Sequence, residues 1–395
     1  MYILSILNIF FPFIFVFPIV IIYLFSNLDN NSRYIVFANV IISIAFFGFN
    51  FERVGETGDV FRYATSLALY SQDVHLNGRG IIENIYELYY PIWYFLFYVM
   101  STLDLNINYL NMLAGITIYG SIFYIINGLK NTYSYGNVDK YLFVFSFLFV
   151  SIISIYTSYK TMWAFSFVLI GIYQLCFLKK NKGYLFFFIG IGIHPIAWIP
   201  FLSYFLSKYI KISRFVVILS LFFGCFLNYA NKLFYFLKDF PFIGDKINFY
   251  IFGDWGKYRF QDNSEYILFY LLIVLVLFIL LSLLSNSYQL QDCNAFSRYN
   301  DFIMLFMAMS FLLISYRTFS IRLIVTGCIF YYPYIYQVLI VINRRSRSFV
   351  TVSLFVLFCL MIDPRTFNIN NVGYIVGDTF PFNVFYSPLL SLFFN

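Results

Sequence analysis

The sequence is short of charged residues. Only 11% of its 395 residues are Asp, Glu, Lys or Arg, whereas 62% are hydrophobic and 24% aromatic. A soluble globular protein carries roughly 25% charged residues. A soluble fold of this size has no interior large enough to bury so much apolar surface, so soluble enzymes are excluded. Several apolar runs approach the roughly 20 residues that cross a bilayer, which predicts a polytopic membrane protein.

Motifs for cofactors and metals are also missing. The five cysteines have neither CxxC nor zinc-ligand spacing, and no P-loop, GxGxxG, HExxH, GxSxG or Asp-x-Asp pair is present. We therefore expect no cofactor and no metal ion, so that Arg and Lys would neutralise any phosphate group. The net charge of +7 is ordinary for basic cytoplasmic loops and does not indicate nucleic acid as a partner. The first basic residue is Arg33, which favours a retained N-terminal span over a cleaved signal peptide.

The apolar runs predict an all-α protein of about 10–12 transmembrane helices. No internal repeat or glycine-serine linker divides the chain, so one membrane domain, 1–395, is expected. Segments 88–103 and 183–207 are ambiguous. The clear spans are predicted at 3–25, 34–51, 107–129, 141–159, 161–178, 214–230, 265–285, 302–316, 319–342 and 349–362.

Basic residues in short loops predict the orientation of the spans. The lysines of Lys179–Lys182 and the arginines of Arg344–Arg347 mark cytoplasmic loops. The stretch 208–214 is also basic, so a single crossing by 183–207 would place basic flanks on opposite sides. We therefore predict a broken or re-entrant span that turns at 192–195, where Pro195 interrupts the helix.

The same rule assigns three segments to the outer face. Segment 52–106 is a large first loop with an interfacial helix near 88–103. Segment 231–263 is a second external loop, and 363–395 is an external C-terminal cap. The acidic residues concentrate in these segments, so the chemistry is expected on the outer face.

The densest polar cluster follows the span at 34–51 directly. It contains Glu52, Arg53, Asp59 and Arg62. A carboxylate can accept the proton of a hydroxyl nucleophile, and an arginine fork binds phosphate oxygens. The alternative is a solvated loop whose acids pair with its own arginines.

Two further candidates lie next to or inside apolar runs. Lys160 precedes Trp163 at the outer end of a span, where it is either a substrate-binding cation or an interfacial lysine that reaches toward water. His194 lies at the predicted break, where it is either a functional group or a hydrogen-bonded core histidine.

External loops supply the remaining candidates. Arg317 and Arg322 flank a short outer turn, where at most one points at a shared ligand; the alternative is pairing with external acids. A later loop places Trp255 near Tyr258 and Arg259, a combination that is common in sugar sites. With 24% aromatic residues overall, the alternative is that this combination arises by chance.

Together these motifs resemble the EpsG-like, Wzy-type bacterial polysaccharide polymerases, which include O-antigen and capsule polymerases. The resemblance rests on the Arg53–x4–Gly58-Asp59–x2–Arg62-Tyr63 stretch, the Lys160-Thr-Met-Trp163 start of a central span, a Lys-rich loop and a broken span with a histidine. The central span of this family often begins with arginine. This sequence has Lys160 at that position. A lysine ammonium cannot bind a phosphate in the bidentate geometry of an arginine guanidinium.

The resemblance implies an inner-membrane glycosyltransferase with a fold similar to the lipid-donor GT-C class. Such enzymes join undecaprenyl-diphosphate-linked oligosaccharides into polymer on the periplasmic face, among membrane lipids, with a chain-length regulator as a further candidate partner. The implied general base is Asp59 or Glu52, with His194 as the alternative. The implied diphosphate ligands are Arg53, Arg62, Lys160, Arg317 and Arg322. The implied sugar contacts are Trp163, Trp255, Tyr258 and Arg259.

Other membrane proteins of the same pathway are the alternatives. A lipid-linked oligosaccharide flippase is expected to have related halves and a charged central cavity. An O-antigen ligase shares the donor and the compartment. An acyltransferase is expected to have an early histidine motif, which this sequence lacks.

Overall fold

A computed structural model describes residues 1–49, 59–84, 87–133, 137–150, 159–226, 294–314, 316 and 321–341, with residues 235, 238, 244, 248, 252 and 253 described singly. Within these ranges the chain forms helices and no β-strand, which confirms the all-α class. Three described helices are long and apolar enough to cross a membrane: Asn30–Phe49, Ile107–Tyr133 and Arg322–Ile340. The total of 10–12 crossings stays a prediction.

The described α-helices are, in chain order, α1 (Tyr2–Phe10), α2 (Pro12–Phe25), α3 (Asn30–Phe49), α4 (Asp59–Asn77), α5 (Pro91–Thr102), α6 (Ile107–Tyr133), α7 (Val138–Phe149), α8 (Tyr159–Cys176), α9 (Gly183–Ile193), α10 (Trp198–Leu206), α11 (Arg214–Phe226), α12 (Asn294–Leu312) and α13 (Tyr332–Val341). Short 3₁₀ segments lie at Glu87–Tyr89, Pro195–Ala197 and Thr326–Tyr331, and a π-helical turn lies at Ile321–Val325.

The N-terminal apolar run forms two helices, whereas the sequence predicted one span over 3–25. The backbone leaves helical geometry at Phe11 (φ −130°, ψ 69°), and α2 begins at Pro12. Proline is favoured at the first position of a helix and disfavours helix in the residue before it. The proline argument that predicted a break at Pro195 therefore applies equally at Pro12.

The described residues fall into two compact units. The first contains residues 1–167 and the short segment 192–194, and the second contains 168–191 and the described residues of 195–361. The prediction of one membrane domain over 1–395 stays a prediction.

The core of the first unit is built on α3 and α6, which pack along each other. Aromatic rings from four helices fill it. Phe37 stacks on Phe123 at 4.8 Å between centroids, Phe123 on Phe143 at 5.4 Å, and Tyr23 meets Phe143 edge-on at 4.9 Å. Such ring pairs add to the free energy of burial and fix the helices side by side.

A buried carboxylate closes one end of this core. The Asp139 side chain is 4% exposed, accepts a hydrogen bond from the Tyr23 hydroxyl at 3.0 Å, and lies 3.1 Å from Lys130 Nζ and 3.7 Å from Arg33 Nη1. The contact brings the start of α3, the end of α6 and the start of α7 together. Arg33 and Lys130 therefore lie at the same end of the first unit, as the predicted alternation of the spans requires. The assignment of that end to the cytoplasm stays a prediction.

Two shorter helices, α4 and α5, pack against each other in the segment 52–106. Helix α5 has 12 residues, so it is about 18 Å long and too short for a hydrocarbon core of about 30 Å. It occupies most of the stretch 88–103, for which the sequence predicted an interfacial helix. At the same end of the unit, the Phe49 ring of α3 contacts Tyr109 of α6 at 5.0 Å.

The predicted broken span forms two helices, which lie in the second unit except for the segment 192–194. Helix α9 ends at Ile193, the 3₁₀ turn Pro195–Ala197 follows, and α10 begins at Trp198. The interruption falls at the turn 192–195 named from the sequence, and its re-entrant course stays a prediction. Helix α9 starts close to α8, because a Cβ on Gly183 would lie 2.6 Å from the Gly171 carbonyl oxygen.

Candidate functional site

Five aromatic side chains from α4, α5 and α8 form an aromatic cluster in the first unit: Tyr63, Tyr90, Trp93, Tyr159 and Trp163. The Tyr63 ring lies 5.0 Å from Trp93 and 5.4 Å from Tyr159. Trp93 lies 6.4 Å from Trp163. The cluster packs the start of α8 against the paired helices α4 and α5. It therefore fixes the positions of polar side chains that lie among these three helices.

Lys160 is positioned by two rings of this cluster. Its Nζ lies 3.8 Å from the centroid of Tyr90 and 4.2 Å from that of Trp93. The negative face of each ring attracts the ammonium by about 0.5–2 kcal/mol, more as water is excluded. Tyr90 and Trp93 are three residues apart and share one face of the α5 start. Lys160 is half-buried, and the two rings hold its ammonium group in place.

The position of Tyr90 follows from local sequence. Tyr90 precedes Pro91, the first residue of α5, and its backbone (φ −136°, ψ 51°) lies outside the α-helical region, which is disfavoured before proline. Its backbone N–H donates to the Glu87 carbonyl at 2.9 Å. The 3₁₀ turn Glu87–Tyr89 therefore orients the Tyr90 ring toward the site.

An ion-pair group, which we call the Arg79 clamp, holds this turn against α4; its members are Tyr70, Asp73, Arg79 and Glu87. The Arg79 guanidinium pairs with Glu87, whose side chain is 3% exposed, and with Asp73 at 3.0 Å. It also lies 4.4 Å from the centre of the Tyr70 ring. The Tyr70 hydroxyl lies 2.9 Å from two carbonyl oxygens of the following loop, and burial raises its pKa although the Arg79 cation opposes the shift.

His194 reaches the same cluster through Tyr90. The two rings lie 5.8 Å apart, nearly perpendicular, and His194 is 9% exposed. The turn that carries it lies tightly against α5, because a Cβ on Gly192 would overlap the Ile92 side chain. Tyr90 therefore contacts both Lys160 and His194, two residues that the sequence analysis selected separately.

Asp59 and Arg62 lie in the first turn of α4 and form an ion pair with each other. The Asp59 side chain is 21% exposed and that of Arg62 is 57% exposed. This is the pairing that the alternative interpretation of the polar cluster requires. Tyr63 follows Asp59 by one helical turn, and residues at that spacing lie about 6 Å apart on the same face. Asp59 is thus about one turn from the aromatic cluster.

The remaining predicted site residues lie in the second unit or outside the described residues. Arg322 is half-buried in the π-helical turn of the second unit. Outside the described residues lie Glu52, Arg53, Trp255, Tyr258, Arg259 and Arg317, most of the loop 231–263, and the segment 363–395. In the described ranges, no three His, Cys, Asp or Glu side chains come together as a candidate metal site.

Two buried donors in the first turns of α8 have no acceptor in the described part of the chain. They are the Tyr159 hydroxyl and the Trp163 indole Nε1, on side chains that are 0% and 2% exposed. An unsatisfied buried donor costs about 1–3 kcal/mol. Together with the Lys160 ammonium, they make the start of α8 rich in hydrogen-bond donors.

Sequence patterns did not identify the site residues Tyr63, Tyr90, Trp93 and Tyr159 or the Arg79 clamp. One signal was available for α5, where two aromatic residues three apart flank a helix-starting proline. The other members come together only through the packing of α4, α5 and α8. No pattern along the chain contains that information.

The comparisons with known proteins concern the whole chain. Residues 33–380 match the model of the EpsG family, a range that includes all of α4 to α13. No curated protein and no solved structure matches the chain. Because the family match spans most of the 395 residues, this membrane protein belongs to the EpsG family.

Proposed function

We propose that this protein is a polysaccharide polymerase that joins undecaprenyl-diphosphate-linked oligosaccharide repeats into O-antigen or capsule polymer. Membership of the EpsG family supports a polymerase-like membrane protein in general. The observation that supports a reaction centre is the Lys160 cation, which is held between the Tyr90 and Trp93 rings. Tyr63, which contacts the Trp93 ring, follows Asp59 by one helical turn. We assign the reaction to the periplasmic face of the bacterial inner membrane, in a fold of the GT-C type.

The proposed reaction is a glycosyl transfer without a covalent enzyme intermediate. A hydroxyl at the non-reducing end of one lipid-linked repeat attacks C1 of the sugar at the reducing end of the growing chain. The new C1–O bond forms as the bond from C1 to the diphosphate oxygen breaks, and undecaprenyl diphosphate leaves with the electron pair. The proton of the hydroxyl goes to a carboxylate, for which Asp59 is our first choice.

Each candidate has a role that matches its chemistry. Lys160, with Arg62, stabilises negative charge that grows on the leaving diphosphate. Arg62 is exposed enough to leave Asp59 when a phosphate arrives, since an exposed ion pair contributes little. His194 is the alternative base. Glu52, Arg53, Arg317 and Arg322 stay candidates for the carboxylate and diphosphate roles.

A deletion strain separates this function from its alternatives. We expect loss of the long-chain ladder with single-repeat glycolipid retained. Loss of all repeats would contradict a polymerase and favour a flippase or a ligase.

The role of Asp59 is tested by complementation with Asp59→Asn. This change keeps the shape of the side chain and removes the base, so we expect single repeats and no polymer at unchanged protein level. Asp29→Asn is the matched control, because Asp29 is solvent-exposed ahead of α3 and asparagine caps helices as well as aspartate does. A normal ladder from Asp59→Asn would remove Asp59 from the site.

A further inference from the structure

We propose that the start of α8 is an oxyanion subsite in which the Tyr159 hydroxyl and the Trp163 indole N–H donate, beside the Lys160 ammonium, to oxygens of a bound ligand. The ligand is a phosphoryl group or a sugar carboxylate. The subsite rests on the proposed function in one respect, namely that this ligand belongs to the polymerase substrate.

The first support is the state of the two neutral donors. Both side chains are at least 98% buried, and neither donor has an acceptor in the described part of the chain. Buried polar groups in folded proteins are nearly always hydrogen-bonded, so two adjacent exceptions indicate a missing partner. Both rings contact Trp93, the ring over which the Lys160 ammonium lies, so the three donors share one neighbour.

The second support is electrostatic. Tyr159, Lys160 and Trp163 occupy the first two turns of an 18-residue helix. The N-terminus of a helix carries a partial positive charge and favours anions. No acidic side chain lies in the first turn of α8 to balance that charge. An anionic ligand would supply the acceptors that the donors lack and the negative charge that the helix end favours.

The packing of Trp163 favours hydrogen bonding over sugar stacking. Its ring meets Trp93 and Tyr159 edge-on at 6.4 and 6.0 Å, and the residue is 2% exposed. Little ring face is left for a sugar, whereas the N–H has no acceptor among the described residues. The contribution of Trp163 to a ligand is therefore a directed N–H bond.

The experiment measures binding without turnover. Purified full-length protein in lipid nanodiscs is titrated with inorganic pyrophosphate and, in a second arm, with glucuronate. Tyr159→Phe and Trp163→Phe remove one donor each and keep an aromatic ring in place. Tyr23→Phe and Trp198→Phe are the matched controls, since Tyr23 bonds Asp139 at the other end of the unit and Trp198 is 44% exposed.

We expect wild-type protein to bind one of the two anions and each donor variant to bind it about tenfold more weakly or worse. The controls should stay within about twofold of wild type. Pyrophosphate as the bound anion identifies the diphosphate, and glucuronate identifies an acidic sugar. Failure of wild type to bind either anion would overturn the proposal, as would donor variants that bind like wild type.

A second measurement uses wild-type protein, so it tests the proposal even if the variants fail to fold. The four tryptophans give four ¹⁵N-indole resonances, and binding should shift the Trp163 signal downfield more than the other three. A Trp163 signal that does not move at saturating anion would overturn the proposal. If the protein binds the anion and the deletion strain still makes a normal polymer ladder, the anion subsite is supported and the polymerase function is contradicted.

Discussion

Tyr90 is the residue on which the candidate site depends most. Its ring carries the Lys160 ammonium at 3.8 Å and meets the His194 ring at 5.8 Å. Pro91 and the Glu87 carbonyl fix its backbone. We propose that the residue acts through its aromatic face, because this face attracts the Lys160 cation.

A role of the ring face predicts different results for two substitutions of Tyr90. Tyr90→Leu removes the ring and should lower the rate of polymer formation about tenfold or more, because Lys160 loses the contact of its ammonium with the Tyr90 ring. Tyr90→Phe keeps the ring face and should stay within about threefold of wild type. The measurement is the polymer formed per unit time at matched protein level.

Phe97→Leu is the control for the loss of a buried ring from α5, because Phe97 contacts Tyr70, Trp93 and Tyr94. Equal losses of rate from Tyr90→Leu and Phe97→Leu would contradict a specific role of the Tyr90 ring in holding Lys160.

At the scale of secondary structure, the Arg79 clamp positions α5 against α4. Glu87 is almost fully buried, and its ionised carboxylate is tolerated because Arg79, the Asn84 amide and the Glu83 backbone N–H surround it. Removing one partner of a buried ion pair leaves the other charge without compensation.

We therefore expect Arg79→Met to lower the free energy of unfolding by about 3–5 kcal/mol. The double variant Arg79→Met/Glu87→Leu should recover part of this loss, since it removes both charges. Arg62→Met is the control, because the exposed Asp59–Arg62 pair should be worth about 1 kcal/mol or less. Thermal unfolding in detergent checks all three, and equal losses for Arg79→Met and Arg62→Met would refute the clamp.

The turn after α9 gives a second prediction at this scale. Gly192→Ala places a methyl group where the Ile92 side chain lies, so it should destabilise the protein by about 1–3 kcal/mol and displace His194. Ile92→Ala in the same chain removes the clashing atoms and should restore part of the stability. Gly120→Ala should be tolerated, since the nearest atom to its new Cβ is 4.0 Å away. Both effects are measured as thermal midpoints; a neutral Gly192→Ala would contradict the close approach.

Hydropathy and proline rules predicted the apolar helices and the interruption near Pro195, because both depend on residues adjacent in sequence. Helix α4 was not identified, since it is amphipathic and carries no long apolar run. Lys160 and His194 were recognised singly, as polar groups next to apolar runs. Their common neighbour Tyr90 could not be found from spacing, because it lies 70 residues before Lys160 and meets it only after α5 and α8 pack.

For the whole molecule, charge distribution predicts which end of the first unit faces outward. Arg33, Lys130 and Asp139 meet at one end, and the first turn of α8 lies in the aromatic cluster with α4 and α5. Cysteine labelling from outside intact spheroplasts should modify Arg62→Cys and leave Lys182→Cys unmodified until the membrane is permeabilised. The reverse pattern would place the candidate site in the cytosol and contradict the proposed polymerase.

We propose that the cation held by Tyr90 and Trp93 stabilises the leaving diphosphate. The most direct measurement is the rate of glycosidic bond formation by protein reconstituted in liposomes with lipid-linked repeats, comparing Lys160→Met with Lys140→Met. Lys140 lies in the first turns of α7 and serves as the matched lysine. We expect Lys160→Met to lower kcat about 100-fold or more and Lys140→Met to stay near wild type. A Lys160→Met protein that polymerises at the wild-type rate would contradict this role of Lys160.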